Sequence, residues 1–202
     1  GTATFTYENK SSSPQTGDLV VATNAYFPPF EYFEGNKFKG VDIEIASKIA
    51  TKLGKTLFVK DMDFEAIIPS VASGESDIGM AGLTVNDERL KTVDFSLGYY
   101  SSYQVITVRE STTLFDECKN AEDVENILKA QTSKYKIGTQ NGTTGYMYSA
   151  GDSGFGYDGF KNLTTKGYTT GALAMKDLSN GKIDAVILDK QPSLMIAATL
   201  NK

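Results

Sequence analysis

Short apolar runs of strand length alternate along this chain with helix-length amphipathic stretches, and this alternation limits the fold more than any other feature. Leu19-Val20-Val21-Ala22-Thr23 reads as a short buried strand. A helix follows, with Asp42 as N-cap or first-turn acid, Ile45, Ile49 and Leu53 at four-residue spacing, and Gly54 as its stop. Leu57 to Val59 is a second strand, Phe64 to Ala72 a helix, and Ile78 to Ala81 a third strand. The second half repeats the pattern. Lys136-Ile137-Gly138 is a strand, Ala172 to Leu178 a helix capped by Thr170, and Ile183 to Leu188 a buried strand. Strands that alternate with helices predict an α/β fold with mainly parallel strands.

An internal echo supports two lobes. Ser73-Gly74-Glu75-Ser76-Asp77-Ile78 resembles Asn180-Gly181-Lys182-Ile183-Asp184-Ala185, although any α/β protein has such helix-to-strand turns. The 202 residues suffice for one large domain or two lobes of roughly 100 residues each. Residues 1–17 are polar, contain Ser11-Ser12-Ser13-Pro14, and read as a flexible lead-in. Lobe 1 is expected over 18–107 and lobe 2 over 108–202, with Tyr103 to Arg109 extended between them.

Several function classes fall away on composition. A net charge of −5 argues against nucleic acid. There is no histidine, so His triads and His metal sites are excluded, and the single Cys118 makes no multi-cysteine zinc site. No cofactor, metal or catalytic residue is expected. No apolar run approaches the ~20 residues of a membrane helix, and without a signal peptide the sequence reads as a mature form or an engineered fragment. Gly154-Phe155-Gly156-Tyr157-Asp158-Gly159 matches the dinucleotide pattern but has no strand before it and no apolar helix after it, so it reads as a loop.

In open α/β sheets, ligands sit beyond the carboxyl ends of the strands. Those ends are Asn24 to Phe30, Ala81 to Arg89, Gln140 to Gly145, and the stretch around Asp189. They offer aromatics, hydroxyls, an arginine, helix-start amides and one carboxylate, a set suited to a zwitterion. Arg89 can grip a carboxylate with two parallel hydrogen bonds, or else pair with Asp87 or Glu88 at the surface. Asp189 can hold an ammonium group, or cap the segment that begins at Lys190. Phe27 and Phe64 can sandwich a side chain, or pack in a core. Gly142-Thr143-Thr144 offers amides and a hydroxyl to an anion, or is a turn and cap.

From Leu19 to Leu200 the chain resembles the polar amino-acid-binding proteins of ABC importers. The resemblance rests on Phe27-Pro28-Pro29-Phe30-Glu31, Gly40-Val41-Asp42-Ile43, Asp63-Phe64 with Ile67-Ile68-Pro69, Ala81-Gly82-Leu83-Thr84, Glu88-Arg89, Val93-Asp94-Phe95-Ser96 with Tyr99-Tyr100, Gly142-Thr143-Thr144, and Asp184-Ala185-Val186-Ile187-Leu188-Asp189. It implies a two-lobed periplasmic-binding-protein-like (type II) fold with a hinge, closing over its ligand. It also implies roles: Arg89 with Gly82, Thr84 and Thr144 on the α-carboxylate, Asp189 on the α-ammonium, and Phe27 and Phe64 flanking the side chain. Asn24, Ala81, Gln140 and Thr143 complete the implied lining.

Two departures shape the expectation. Many relatives carry an acid where this chain has Asn24, and Leu188 makes the wall beside Asp189 apolar, so a neutral polar amino acid such as glutamine is favoured. Cystine, other neutral amino acids and basic amino acids remain open. Relatives also continue about 40 residues beyond the position of Lys202, so the usual C-terminal tail is expected to be lacking. A monomer is expected, or a domain swap if the tail is missing. The implied partner is an ABC transporter permease, and the implied location is the periplasm or, lipid-anchored, the outer face of the membrane. The alternatives are a ligand-sensing domain of a signalling receptor and a cyclohexadienyl or arogenate dehydratase-like enzyme that uses Glu31.

Overall fold

The computed structural model describes residues 5–201. The chain divides into two compact units, Gly1–Gly98 and Tyr99–Lys202.

The first unit contains β1 (Thr6–Tyr7), β2 (Leu19–Thr23), β3 (Tyr26–Phe27), β4 (Glu31–Glu34), β5 (Lys37–Lys39), α1 (Val41–Lys52), β6 (Leu57–Asp61), a 3-10 turn (Phe64–Ala66) running into α2 (Ile67–Ala72), β7 (Ile78–Gly79) and α3 (Asp87–Leu90). Its parallel sheet has the order β6-β2-β7, and an antiparallel sheet has the order β1-β5-β4-β3. Leu19 and Val21 on β2 stand opposite Leu57 and Val59 on β6, and these four pack on Ile43, Ala46 and Ala50 of α1. Each fully buried Val, Leu or Ile contributes about 1.5–3 kcal/mol.

The buried stripe of α1 is therefore not the one the spacing predicted. Ile45 and Ile49 pack only partly against the core, and Leu53 is 57 % exposed. Small Ala46 and Ala50 let the helix approach the sheet closely, and that rotates the stripe. Gly40, not Asp42, is the N-cap, and a Cβ there would fall 2.2 Å from Phe30 O. Asp42 lies in the first turn.

The second unit contains β8 (Gln104–Val108), α4 (Ala121–Lys129), β9 (Lys136–Gln140), α5 (Thr144–Ala150), β10 (Thr164–Tyr168), α6 (Gly171–Ser179), β11 (Ala185–Asp189) and α7 (Lys190–Leu200). Its sheet order is β10-β9-β11-β8, with β8 antiparallel to β11 and the other pairs parallel. Arg109 is structural. Its Nη1 donates to Leu178 O at 3.0 Å and Ile183 O at 2.6 Å, which anchors the last turn of α6.

Two boundaries differ from the sequence reading. The division falls at Gly98/Tyr99 rather than 107/108, because β8 is hydrogen-bonded along its whole length to β11. The expected lead-in is partly built into the first unit. Thr6–Tyr7 pairs with β5, and Asn9 exchanges hydrogen bonds with both the N–H and the C=O of Val59. Residues 1–4 of that lead-in lie outside the described residues.

Candidate functional site

The strands β2, β6 and β7 are parallel, so their carboxyl ends share one edge. The loops that leave this edge carry Asn24, Phe27, Phe64, Ala81, Gly82, Thr84 and Arg89. Arg89 is 8 % exposed although it sits on the short helix α3. Three contacts fix it. Asn86 caps α3 by accepting from Arg89 N at 2.7 Å, Nη1 donates to Thr84 O at 2.6 Å, and Cζ stands 5.7 Å from the Phe64 ring centroid. Of the two surface acids that could pair with Arg89, Glu88 pairs with Lys91.

Phe27 is buried, stacks on Phe30 with centroids 6.2 Å apart, and lies against Gly82, whose added Cβ would meet its ring at 3.7 Å. Phe64 packs with Ala22, Ile67 and Ala81 while remaining partly exposed. Asn24 is 3 % exposed and donates to Met62 O at 2.9 Å. The expected Gly82 amide is engaged: it donates to Asp42 Oδ2 at 3.0 Å. Asp61, at the end of β6, accepts from Ala25 N at 2.8 Å. Its pKa is raised, first by desolvation and further by Asp63, against the lowering effect of the Ala25 N–H.

In the second unit β9, β10 and β11 are parallel, so Gln140, Tyr168 and Asp189 end at one edge. Thr143 is the N-cap of α5, accepts from Tyr146 N at 3.4 Å and donates to Gln140 O at 2.7 Å, so its hydroxyl has a capping role. Thr144 opens the helix and is partly exposed. Gln140 is 1 % exposed and donates to Thr169 O at 3.2 Å.

Asp189 stands at the N-cap position of α7, yet its side chain makes no capping hydrogen bond. Ser102 Oγ donates to Oδ1, and Gln104 Nε2 donates to Oδ2 at 3.0 Å. A carboxylate held this way is presented rather than used as a cap. Each such bond to a charged acceptor contributes about 1.5–3 kcal/mol in a dry setting and less where water competes. Leu188 departs from its expected place. It is 1 % exposed and packs with Ala174, Met175 and Ile196, facing α6 and α7, because neighbouring strand residues point to opposite faces.

Sequence reasoning missed Ser102, Gln104 and the Asp42–Gly82 contact. Only the cross-strand register, in which Gln104 faces Asp189, brings Gln104 to the carboxylate. Asn86 three residues before Arg89 is a capping pattern that was legible in the sequence.

Two α/β units of this kind form the two-lobed binding-protein architecture of the periplasmic-binding-protein-like type II class. Within it, the chain belongs to the bacterial extracellular solute-binding proteins, family 3, whose family model matches residues 19–190. It is 36 % identical over 104 residues to the arginine-binding extracellular protein ArtP of Bacillus subtilis, covering 52 % of this chain and 41 % of that protein. An ancestral arginine-binding protein bound to glutamine superposes with a TM-score of 0.74 at 34 % identity, covering 92 % of this chain and 75 % of that one. An ancestral amino acid-binding protein that is a precursor of cyclohexadienyl dehydratase superposes with a TM-score of 0.76 at 29 % identity, covering 91 % and 75 %. The chain spans less than two thirds of the length of the curated relatives it matches. Among the described residues, no helix is long and apolar enough to cross a membrane.

Proposed function

We propose that the chain is the binding body of an extracytoplasmic amino-acid receptor that delivers its ligand to an ABC transporter and catalyses nothing. The observation that carries this reading is Arg89, a buried residue at a sheet's carboxyl edge whose guanidinium is held by Thr84 and Phe64 and whose backbone N–H is capped by Asn86. In this reading Arg89 binds the α-carboxylate with Thr84 and Thr144, and Asp189 binds the α-ammonium. Phe27 and Phe64 flank the side chain, and Asn24, Ala81, Gly82, Gln140 and Thr143 shape the edges.

The favoured side chain is neutral and polar, glutamine first, because Asn24 places an amide where a basic ligand needs a carboxylate. The ancestral relative bound to glutamine supports that choice. Arginine is the second reading. The arginine-binding Bacillus protein favours it, and so does Asp61, an acid at the same edge with no basic partner in its hydrogen bond.

A thermal-shift screen against the twenty amino acids plus cystine tests the reading. Ligand at 100 times its dissociation constant stabilises a protein by roughly 2.7 kcal/mol. One strong hit names the ligand. A cooperatively unfolding sample that responds to none of them sinks the amino-acid reading.

A further inference from the structure

The cross-strand neighbour of Asp189 is Gln104, at the start of β8. Its amide lies with Nε2 on Asp189 Oδ2 at 3.0 Å, while its Oε1 is buried and has no hydrogen-bond partner among the described residues. A buried carbonyl oxygen without a donor is unfavourable. The reverse orientation would point that oxygen at a carboxylate, which is worse, so the charge of Asp189 fixes the amide. The room for Oε1 comes from Gly145, where a Cβ would lie 2.8 Å from Oε1 and 2.9 Å from Ile187 O. Ser102 Oγ holds the other oxygen.

A carboxylate offers about four lone-pair directions, so two filled by Gln104 and Ser102 leave two. Among the described residues those two receive no hydrogen bond, and the α7 N-terminus beside them is not capped by this side chain. We propose that Gln104, with Ser102, is the positioning residue that holds Asp189 off the α7 N-terminus and aims its open lone pairs at the ligand's amine. This pair therefore sets the preference for α-amino over α-hydroxy acids. The inference rests on the reading of Asp189 given above.

The test compares L-glutamine and L-arginine with their α-hydroxy analogues by titration calorimetry. The proteins are the unsubstituted chain, Gln104→Leu, Gln104→Glu, Ser102→Ala and Asp189→Asn. Gln104→Leu is expected to weaken the amino acid about tenfold and the hydroxy acid far less, so the amine preference narrows. Ser102→Ala, on an exposed hydroxyl, narrows it less and serves where Gln104→Leu fails to fold. Gln104→Glu sets a second carboxylate against Asp189, which raises the pair's protonation range and makes amine affinity climb with pH. Equal losses for both ligand classes in Gln104→Leu, or an unchanged preference in both Gln104→Leu and Ser102→Ala, overturn the positioning role while Asp189→Asn still loses the preference. If Asp189→Asn keeps the preference, or the unsubstituted chain binds neither amino acid, the underlying reading of Asp189 falls and this inference with it.

Discussion

The two units solve one local problem with the same device and then diverge at their edges. In the first, Asp77 N donates to Val20 O at 2.8 Å, and Asp77 Oδ2 accepts from Val20 N at 2.8 Å. In the second, Asp184 N donates to Lys136 O at 2.9 Å, and Asp184 Oδ2 accepts from Lys136 N at 2.8 Å. Each aspartate follows a helix, a left-handed glycine (Gly74 or Gly181), and two residues. It then staples the entering strand to its parallel neighbour where both strands begin. The opposite, carboxyl edges differ. The first unit presents a buried cation against an aromatic ring, and the second presents a carboxylate held by a hydroxyl and an amide. Shared scaffolding at one end of a sheet leaves the other end free to vary, as in open α/β sheets generally.

Substitutions at the two edges give the largest expected effects. Arg89→Ala is expected to weaken amino-acid binding about a hundredfold or more, since two charge-assisted hydrogen bonds are lost. Calorimetry on a variant with an unchanged unfolding midpoint measures it. An affinity within twofold of the parent would remove Arg89 from the site and with it the contrast between the edges.

Stability sharpens the likeness of the scaffolds. A Cβ on Gly138 in β9 would meet Ile183 at 2.5 Å, Tyr168 at 3.1 Å and Ala174 at 3.3 Å. On Gly79 in β7 it would meet Ile67 at 2.7 Å and nothing else closer than 3.4 Å. Gly138→Ala should therefore destabilise by about 1–3 kcal/mol and Gly79→Ala by less. Urea titrations in which Gly79→Ala is the costlier would reverse the ranking. Asp77→Ala and Asp184→Ala should each cost about 1–2 kcal/mol, because each removes the same side-chain acceptor from a strand N–H, with Asp184→Ala slightly the costlier because Arg109 Nη2 also stands 4.0 Å from Asp184 Oδ1. A marked inequality would show that the two staples are alike in geometry only.

Much of this was legible in the sequence because strand and helix periods are local. The echo between Ser73–Ile78 and Asn180–Ala185 is visible as letters, and the hydrogen bonds of Asp77 and Asp184 are its physical content. The loops that carry Arg89 and Asp189 follow from strand ends alone. What escaped was set by tertiary pairing. Gln104 reaches Asp189 only through antiparallel register, Leu188 turns inward by strand alternation, and the α1 stripe rotates to bring alanines onto the sheet. The division at Gly98/Tyr99 was hidden for the same reason, since nothing local to Gln104–Val108 says which sheet it joins.

The smallest expected effects come from two exposed or partly exposed acids of opposite sign. Asp177 is tied to Lys182 at 3.0 Å, to Tyr168 at 2.9 Å and to Lys166 at 3.1 Å, and in that order they hold its carboxyl down at about 2. An acid whose folded pKa lies below its unfolded value stabilises the fold above the unfolded value, and this is lost as pH falls through the folded one. For Asp177 the window runs from the ordinary 3.8 down to about 2. Asp177→Asn should flatten the fall in unfolding temperature across that range. Asp61 has the reverse sign, because desolvation raises its pKa from 3.8. The folded state resists its ionisation, so its contribution to stability declines as pH rises through that region and stays unfavourable at neutral pH. Asp61→Asn keeps an oxygen for the Ala25 N–H and removes the charge, so at neutral pH the first unit should gain slightly. Solvent screening keeps both effects small. If Asp61→Asn instead loses stability at neutral pH, the acid has a stabilising partner, and the contrast between a lysine-paired carboxylate in one unit and an unrelieved one in the other disappears.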